Sequence, residues 1–323
     1  MAAKIAIVIP CFRTRDPIVG VIEGALPYAQ MIFCVDDACP ENSGRLVEEK
    51  IHDPKVSVIF NSQNLGVGGA VKAGYRAALE ANCDVVIKLD GDGQMDPDLI
   101  PALVKPILDA DSDYCKGNRF HDLHGLKDMP ALRLFGNSML SLLTKISSGY
   151  WRIMDPTNGF TAIGSQALRA IPLSKVSNDY FFESDMLFRL NVARAVVSDI
   201  PMHSKYGDET SSLRIGRILG PFLLGNLRNL FKRVFYNYFL RDFNIATVEL
   251  LTGVIVSLFG LVTGIKAWSH SIETGVTASS GTVMLSALPI IIGFQLLLSF
   301  LNYDIENVPR RALGSFKRGA VED

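Results

Sequence analysis

Two stretches near the C-terminus, Ile245 to Ala267 and Thr282 to Leu301, leave this chain few folds to choose from. The first is almost wholly apolar, with Glu249 near its start and Lys266 near its end, and the second carries no charge. Each approaches or exceeds the roughly 20 residues that cross the hydrocarbon core of a bilayer. Buried core helices are the plainer reading, but both runs outlast the usual length of such helices, so two membrane spans are predicted. Basic residues set the orientation. Arg228, Lys232, Arg233 and Arg241 precede the first run, Arg310, Arg311, Lys317 and Arg318 follow the second, and the connecting Trp268–Gly281 loop has none. The positive-inside rule then predicts a cytoplasmic-membrane protein whose N-terminal domain and tail are cytoplasmic. No secretory signal is expected, because a strand-like run, Lys4 to Ile9, begins almost at once.

Ahead of the spans, short apolar runs at Lys4–Ile9, Met31–Val35, Lys55–Phe60 and Asp84–Leu89 alternate with helical stretches around Asn42–His52, Gly66–Ala81 and Pro97–Asp109. This alternation predicts an α/β fold, a parallel or mixed sheet covered by helices. Ligands of such sheets bind outside the carboxyl ends of the strands. The chemically loaded residues do follow the strands: Pro10, Asp36 with Asp37, Asn61 to Gly69, and Asp90 to Gln94. Gly117 to Pro130, with His121 and His124, reads as a polar loop rather than a paired-histidine metal site, for want of further ligands. Leu132 to Ile146 suits an amphipathic helix. Leu213 to Tyr238 repeats apolar residues at helical spacing among arginines and lysines, and Pro221 and Gly225 are expected to divide it into two helices. A basic amphipathic stretch beside a span is expected to lie on the anionic leaflet; an ordinary core helix with snorkelling Arg stems is the alternative. Gly260 and Gly264, one turn apart, allow close helix approach and make a homo-oligomer one candidate assembly.

Lys and Arg number 32 against 33 Asp and Glu, so the chain has no excess with which to hold a polyanion, and nucleic acid is not an expected partner. The five cysteines form no CxxC pair, which points to reduced, buried thiols. The chemistry concentrates in Asp90-Gly-Asp92-Gly-Gln94. Two carboxylates at i and i+2, freed by glycines where a strand stops, can reach one hard cation such as Mg²⁺ or Mn²⁺ and leave positions for phosphate oxygens. A calcium-binding EF-hand is excluded, since its sixth position would be Met95 rather than Gly and its twelfth Pro101 rather than Glu. Asn64 to Ala70 is a glycine-rich turn into a helix, without the Lys-Ser/Thr of a P-loop or a GxGxxG fingerprint.

Taken with Ile7-Val-Ile-Pro10, Asp36-Asp37, Asn64-Leu-Gly66, Gly117-Asn-Arg119, Arg133 and Asp155-Pro-Thr-Asn-Gly-Phe160, the acidic segment resembles glycosyltransferase family 2, of the GT-A fold. Within it the chain is similar to polyisoprenyl-phosphate glycosyltransferases of the bacterial branch, with two spans before Asn302–Pro309. The resemblance implies a metal held by Asp90, Asp92 and Gln94, and a nucleotide pocket lined by Pro10, Phe12, Asp36, Asp37, Asn64, Gly66 and Asp90. It implies phosphate contacts from Arg119 and Arg133, a nucleotide-sugar donor linked to UDP or GDP, and a polyprenyl-phosphate acceptor. Asp92 and Glu183 complete the catalytic candidates; Glu183 and Asp185 could equally serve only to favour a helix N-terminus.

The chain departs from the family in three places. Phe12-Arg13-Thr14 stands where Tyr-Asn-Glu is usual, which leaves base recognition open. Lys205 to Ser212 replaces an Arg-x-x-Gly-x-Ser-Lys segment, leaving Lys205 and Arg214 as the substitutes for a phosphate-binding arginine. No Gln-x-x-Arg-Trp segment is present, which argues against a processive synthase. The expected organisation is a GT-A domain over residues 1–212, amphipathic interface helices over 213–243, two spans over 244–303 and a tail over 304–323. The expected reaction is inverting hexose transfer to a polyprenyl phosphate; another lipid or glycan acceptor, or a silent membrane scaffold, are the alternatives.

Overall fold

The computed structural model describes residues 3–121, 131–202 and 215–315. It divides into two units, Met1–Arg233 with Pro309–Asp323, and Val234–Val308. The first unit is built on seven strands: β1 (Ile5–Cys11), β2 (Met31–Asp36), β3 (Val56–Phe60), β4 (Val85–Lys88), β5 (Tyr114–Asn118), β6 (Thr161–Gly164) and β7 (Val197–Pro201). Their order across the sheet is β3-β2-β1-β4-β6-β5-β7. All neighbours are parallel except that β6 runs against both β4 and β5. The central strands are buried on both faces, which is why Ile7, Val8, Ile9, Val85, Val86 and Ile87 form near-continuous apolar runs rather than alternating ones. Helices α1 (Ile18–Ala25), α2 (Ser43–Lys50), α3 (Val67–Glu80) and α4 (Ile100–Leu108) connect the parallel strands. Helix α1 was not signalled in the sequence. The later helices are α5 (Ala131–Ser148), α6 (Ser165–Ala170), α7 (Phe182–Val192) and α8 (Ile215–Phe235).

Helix α8 departs from the expected break. It runs continuously through Pro221. A proline removes one backbone donor, a loss that a helix fixed by its contacts with the sheet unit can bear. Gly225 has a packing role instead: a Cβ there would meet the Phe181 ring at 2.8 Å. The polar side of α8 faces the sheet unit. Asn226 accepts from the Ser147 hydroxyl at 2.5 Å, Asn229 donates to Asp185 at 3.0 Å, and Arg233 donates to the carbonyls of Ile146 and Ser147. Its leucines point the other way: Leu219, Leu223, Leu224, Leu227 and Phe231 are all exposed. The segment after Val308 belongs to the same unit. Buried Asp113 accepts the N–H groups of Val196, Leu313 and Gly314 at 2.8, 3.0 and 3.3 Å, so one carboxylate ties the tail to the sheet.

The second unit is a hairpin of α9 (Ile245–Thr274) and α10 (Ser280–Glu306), both long and apolar enough to cross a membrane. The expected Trp268–Gly281 loop is mostly helical, because nothing breaks α9 until Gly275 adopts φ +69° at its C-cap. Small residues let the two helices touch. A Cβ on Gly293 would lie 2.1 Å from Ser257 Oγ, and one on Gly260 would lie 2.7 Å from the Ser286 carbonyl. Gly260 is therefore used inside the chain, and the glycine pair offers no argument for self-association. Glu249 accepts from the Ser299 hydroxyl at 2.7 Å across the same seam, and Asp304 accepts from Tyr238 at 2.7 Å.

Gly293→Leu is expected to destabilise the hairpin by about 1–3 kcal/mol, because neither helix can yield without shifting backbone. Gly264→Leu, whose Cβ would meet Ser286 only at 3.4 Å, serves as the control. Thermal melts of the detergent-solubilised chain should separate them; equal melting would place the seam elsewhere.

Candidate active site

Parallel strands deliver their carboxyl ends to one edge of the sheet, and antiparallel β6 begins at that same edge. Here lie the turn after β1, Asp36 at the end of β2 with Asp37 following it, Asn61–Gly66 after β3, Asp90–Gln94 after β4, Arg119 after β5 and the 155–160 loop before β6. The glycines of the acidic turn have separate reasons. Gly91 is buried, and a Cβ on it would press on Ile18 at 2.9 Å and the Pro10 carbonyl at 3.2 Å. Gly93 takes φ +77°, which an L side chain resists. The Gln94 N–H then donates to Asp92 Oδ1 at 3.0 Å, folding the turn so that Asp92 stands half-buried at its tip.

Asp90 is held from behind. Lys88, only 1% exposed at its side chain, places its ammonium 2.8 Å from Asp90 Oδ1 and 3.1 Å from Glu183 Oε1. It also donates to the Gly159 carbonyl at 3.3 Å. Burial opposes the charged lysine, but the Asp90 and Glu183 carboxylates overcome it and raise its pKa above the ordinary value. Gly159 is needed for this approach: a Cβ would stand 2.4 Å from Lys88 Nζ and 2.5 Å from Asp90 Oδ2. Glu183 thus does more than favour a helix N-terminus. Asp185, two residues on, accepts from the Ser177 N–H at 2.9 Å, Arg189 at 3.1 Å and Asn229 at 3.0 Å.

A second clamp lies one strand away. Fully buried Asp155 takes Arg119 through Nε at 2.7 Å and Nη2 at 3.0 Å, the two-bond geometry of a guanidinium–carboxylate pair. Any phosphate contact by Arg119 is therefore made with the guanidinium already oriented. Lys116, wholly buried on β5, donates to the Asn158 carbonyl at 2.5 Å. Burial pushes its pKa down to about 8, against the pull of Asp155, Glu183 and Asp199. Lys88 and Lys116 both pair in register with Thr161 of β6, so the two lysines flank that strand and grip consecutive carbonyls of one loop.

The remaining sequence candidates divide. Both oxygens of Asp36 are taken by backbone, the N–H groups of Cys39 and Gly44 at 2.7 Å each, which makes it a brace for the turn into α2. Asp37 accepts from Asn61 at 2.7 Å and the Leu65 N–H at 2.9 Å and so joins two strand-end loops. Gly66, at φ +80°, admits the chain's own backbone: a Cβ would meet the Asn178 carbonyl at 2.5 Å. Asn64 is exposed and accepts the Gly66 N–H. Phe12 is 40% exposed at the end of β1, with the Arg13 guanidinium 5.4 Å from its ring centre and Arg13 itself at φ +60°. Pro10 pairs with Val35 inside the sheet. Arg133 lies in the first turn of α5, where only the backbone is described, and Lys205, Arg214 and His124 lie outside the described residues. Lys88, Lys116 and the role of Asp155 escaped the sequence reading. The signal was present: a lysine inside Val85-Val-Ile-Lys-Leu89 sits where burial needs a partner.

The donor set suits a divalent cation only in part. Among the described residues no group of three His, Cys, Asp or Glu side chains comes together. Asp90 and Asp92 supply hard oxygens, with Asp90 Oδ1 already 2.8 Å from the Lys88 ammonium. Two carboxylates with a diphosphate to complete the shell fit Mg²⁺ or Mn²⁺, which keep several ligands from water and substrate.

The family described as Glycosyl transferase family 2 matches residues 6–171, a little over half of the chain. The chain belongs to glycosyltransferase family 2. The transferase is 28% identical to the undecaprenyl-phosphate mannosyltransferase of Micrococcus luteus over 67% of this chain and 90% of that protein. It is 27% identical to the UDP-N-acetylglucosamine--dolichyl-phosphate N-acetylglucosaminyltransferase of Methanococcus voltae, covering 64% and 88%. Glucosyl-3-phosphoglycerate synthase of Mycobacterium tuberculosis, solved with Mn²⁺, UDP and glucosyl-3-phosphoglycerate, superposes with a TM-score of 0.52 at 17% identity. That match covers 72% of this chain and 80% of the synthase and establishes the GT-A fold.

Lys116 gives the transferase a pH signature. Below pH 8 both folded and unfolded chains hold the proton, and the fold bears the cost of a buried cation. Between about pH 8 and 10.5 the unfolded chain binds a proton that the folded one has lost, so this group's contribution to stability rises with pH. Wild type should gain stability relative to Lys116→Met across that window in denaturant titrations. Parallel curves would show that Lys116 stays charged.

Proposed function

We propose that this transferase moves a hexose from a UDP- or GDP-linked donor to the phosphate of a polyprenyl lipid, inverting the anomeric centre. The observation that carries the reading is a pairing of two features in one unit. An acidic turn stands at the ligand-binding edge of a GT-A sheet, and a helix packed on that unit turns its leucines outward. An amphipathic helix of this kind suits the boundary between headgroups and acyl chains. The two apolar helices that follow support anchorage in the membrane, and relatives named for undecaprenyl and dolichyl phosphates support the acceptor.

Asp90, Asp92 and Gln94 are the residues we assign to a Mg²⁺ or Mn²⁺ ion, which would lend positive charge to the departing diphosphate. The protein's own side chains do the rest. Lys88 and Glu183 fix Asp90, while Asp155 aims Arg119 toward the same edge, where a preorganised guanidinium stabilises phosphate charge. Phe12 and Arg13 offer an exposed ring and cation to the nucleobase. A lipid phosphate is already anionic at neutral pH, so its attack needs no general base. That fits a site whose buried glutamate is paired with a lysine.

Membranes containing the enzyme, given labelled UDP- and GDP-hexoses with either polyprenyl phosphate or diacylglycerol, should yield a mild-acid-labile sugar phosphate from the polyprenyl lipid alone. Asp92→Asn should lower that transfer by roughly two orders of magnitude or more with the fold intact by circular dichroism. Product on diacylglycerol, or no product on either lipid, would overturn the assignment. The outward face of α8 has its own test. Leu224→Asp with Phe231→Asp should reduce kcat/KM for the lipid at least about tenfold, since even one apolar side chain contributes about 1.5–3 kcal/mol when buried. Nucleotide affinity should stay unchanged; an unaltered lipid kcat/KM would remove α8 from the membrane surface.

A further inference from the structure

Around the buried carboxylate of Asp185 the sheet unit gathers more positive charge than it neutralises. Asp185 accepts from the Ser177 N–H at 2.9 Å, from Arg189 at 3.1 Å and from Asn229 at 3.0 Å, so both of its oxygens are engaged. Arg189 also donates to the Lys175 carbonyl, and the buried Lys72 ammonium donates to the Val176 carbonyl at 2.6 Å. These bonds bring α3, the turn at Leu173–Lys175, α7 and α8 together. Lys175, Arg228 and Lys232 stand exposed there, and among the described residues none of the three has an ion pair. Asp179, four residues past Lys175, is engaged by the Ser177 hydroxyl at 2.6 Å and the Phe181 N–H at 3.0 Å. Lys232 registers the crowding. Partial desolvation, then the positive charges of Arg228, Arg189 and Lys175, lower its pKa, and Asp185 only partly offsets them.

The cations adjoin the leucines of α8. Arg228 stands one turn past exposed Leu224 and Lys232 one turn further on, so the two share a stripe along one edge of the apolar face. Buried Asn226, Asn229 and Arg233 hold the opposite side. The patch is also set back from the reacting edge: Glu183 and Arg189 are six residues apart on α7, roughly 9 Å along its axis. We propose that Lys175, Arg228 and Lys232 form a headgroup site for an anionic phospholipid of the bilayer. This rests on the membrane-surface reading of α8 given above and names its partner. Leucines gain from acyl chains under any headgroup, whereas cations without carboxylate partners gain only from negative charge. Lys and Arg stems can lie along apolar surface while their heads reach phosphate, Arg228 with two parallel hydrogen bonds and the lysines as point charges. The attraction fades within a Debye length, so it acts on lipid in contact with the helix. Because both helix cations lie along one edge, the lipid favours one roll of the sheet unit at the surface.

The test is lipid retention by the full chain in neutral detergent, read by native mass spectrometry with phosphatidylglycerol, phosphatidylcholine and a polyprenyl phosphate added in turn. Wild type should retain phosphatidylglycerol over phosphatidylcholine. The triple change Lys175→Gln, Arg228→Gln and Lys232→Gln should weaken phosphatidylglycerol binding at least about tenfold, since each cation near an anionic surface is worth about fivefold. Binding of phosphatidylcholine and of polyprenyl phosphate should stay as in wild type. Where the triple variant melts early, Arg228→Gln alone carries the test, with a loss of about fivefold. Lys50→Gln with Lys55→Gln and Lys105→Gln removes the same charge from exposed positions elsewhere on the sheet unit and should bind as wild type does. An equal loss in that control makes the preference one of net charge and overturns the site. A wild type without preference, or a triple variant as tight as wild type, overturns the proposal alone, because the Leu224 and Phe231 changes test the α8 reading separately. Loss of polyprenyl phosphate in place of phosphatidylglycerol assigns the patch to the acceptor and overturns it too.

Discussion

An ammonium buried to 1% exposure has to be paid for by its surroundings, and around Lys88 those surroundings come from three places in the chain. Strand β4 supplies Lys88 and Asp90, the loop before β6 supplies Gly159, and the first turn of α7 supplies Glu183. Removing a buried charge's partner costs about 3–5 kcal/mol, so each of the three must be in register for the others to be tolerable. The same loop is held again by Lys116 through the Asn158 carbonyl and by Asp155 through Arg119. The acidic turn is therefore not a flexible end of a strand. It stands on a rigid base whose parts are charges, and whose geometry is set before any ligand arrives.

Helix α8 solves a different problem. In water its exposed leucines are a liability and its buried asparagines and arginine would be better outside. The pattern makes sense where the outward medium is apolar. Ser147, Asp185 and two carbonyls at the end of α5 satisfy the inward polar groups, and the outward face is the one that the proposed function gives to lipid. Asp185 and Glu183 share a turn of α7, so the helix that presents leucines and the lysine that holds Asp90 rest on neighbouring residues of one element.

Much of this was legible in the sequence because it follows from periodicity. Alternating apolar runs and helices gave the sheet, and its parallel order brought the acidic turn to the ligand-binding edge. Apolar length gave α9 and α10. What stayed hidden depended on long-range pairing. Pro221 reads as a breaker, yet one lost donor on an exposed helix face does not stop a helix fixed by tertiary contacts. Gly225, Gly260 and Gly66 read as a breaker, an assembly motif and a ligand cradle. Each is a place where the chain's own rings or backbone come close. Asp36 is expected from its position to line the nucleotide pocket, and its backbone partners could not be foreseen from a pair of adjacent aspartates. Lys88 and Lys116 carry the most, and the pattern of a single strand does not show which carboxylates or carbonyls a buried lysine will meet.

The most direct measurement is a structure of the full chain with Mn²⁺ and UDP or GDP, the ion located by its anomalous scattering. The account predicts a manganese peak at the Asp90–Gln94 turn, bridging protein carboxylate and diphosphate, with Lys88 still between Asp90 and Glu183. A nucleotide bound away from the carboxyl edge of the sheet, or manganese away from that turn, would contradict it.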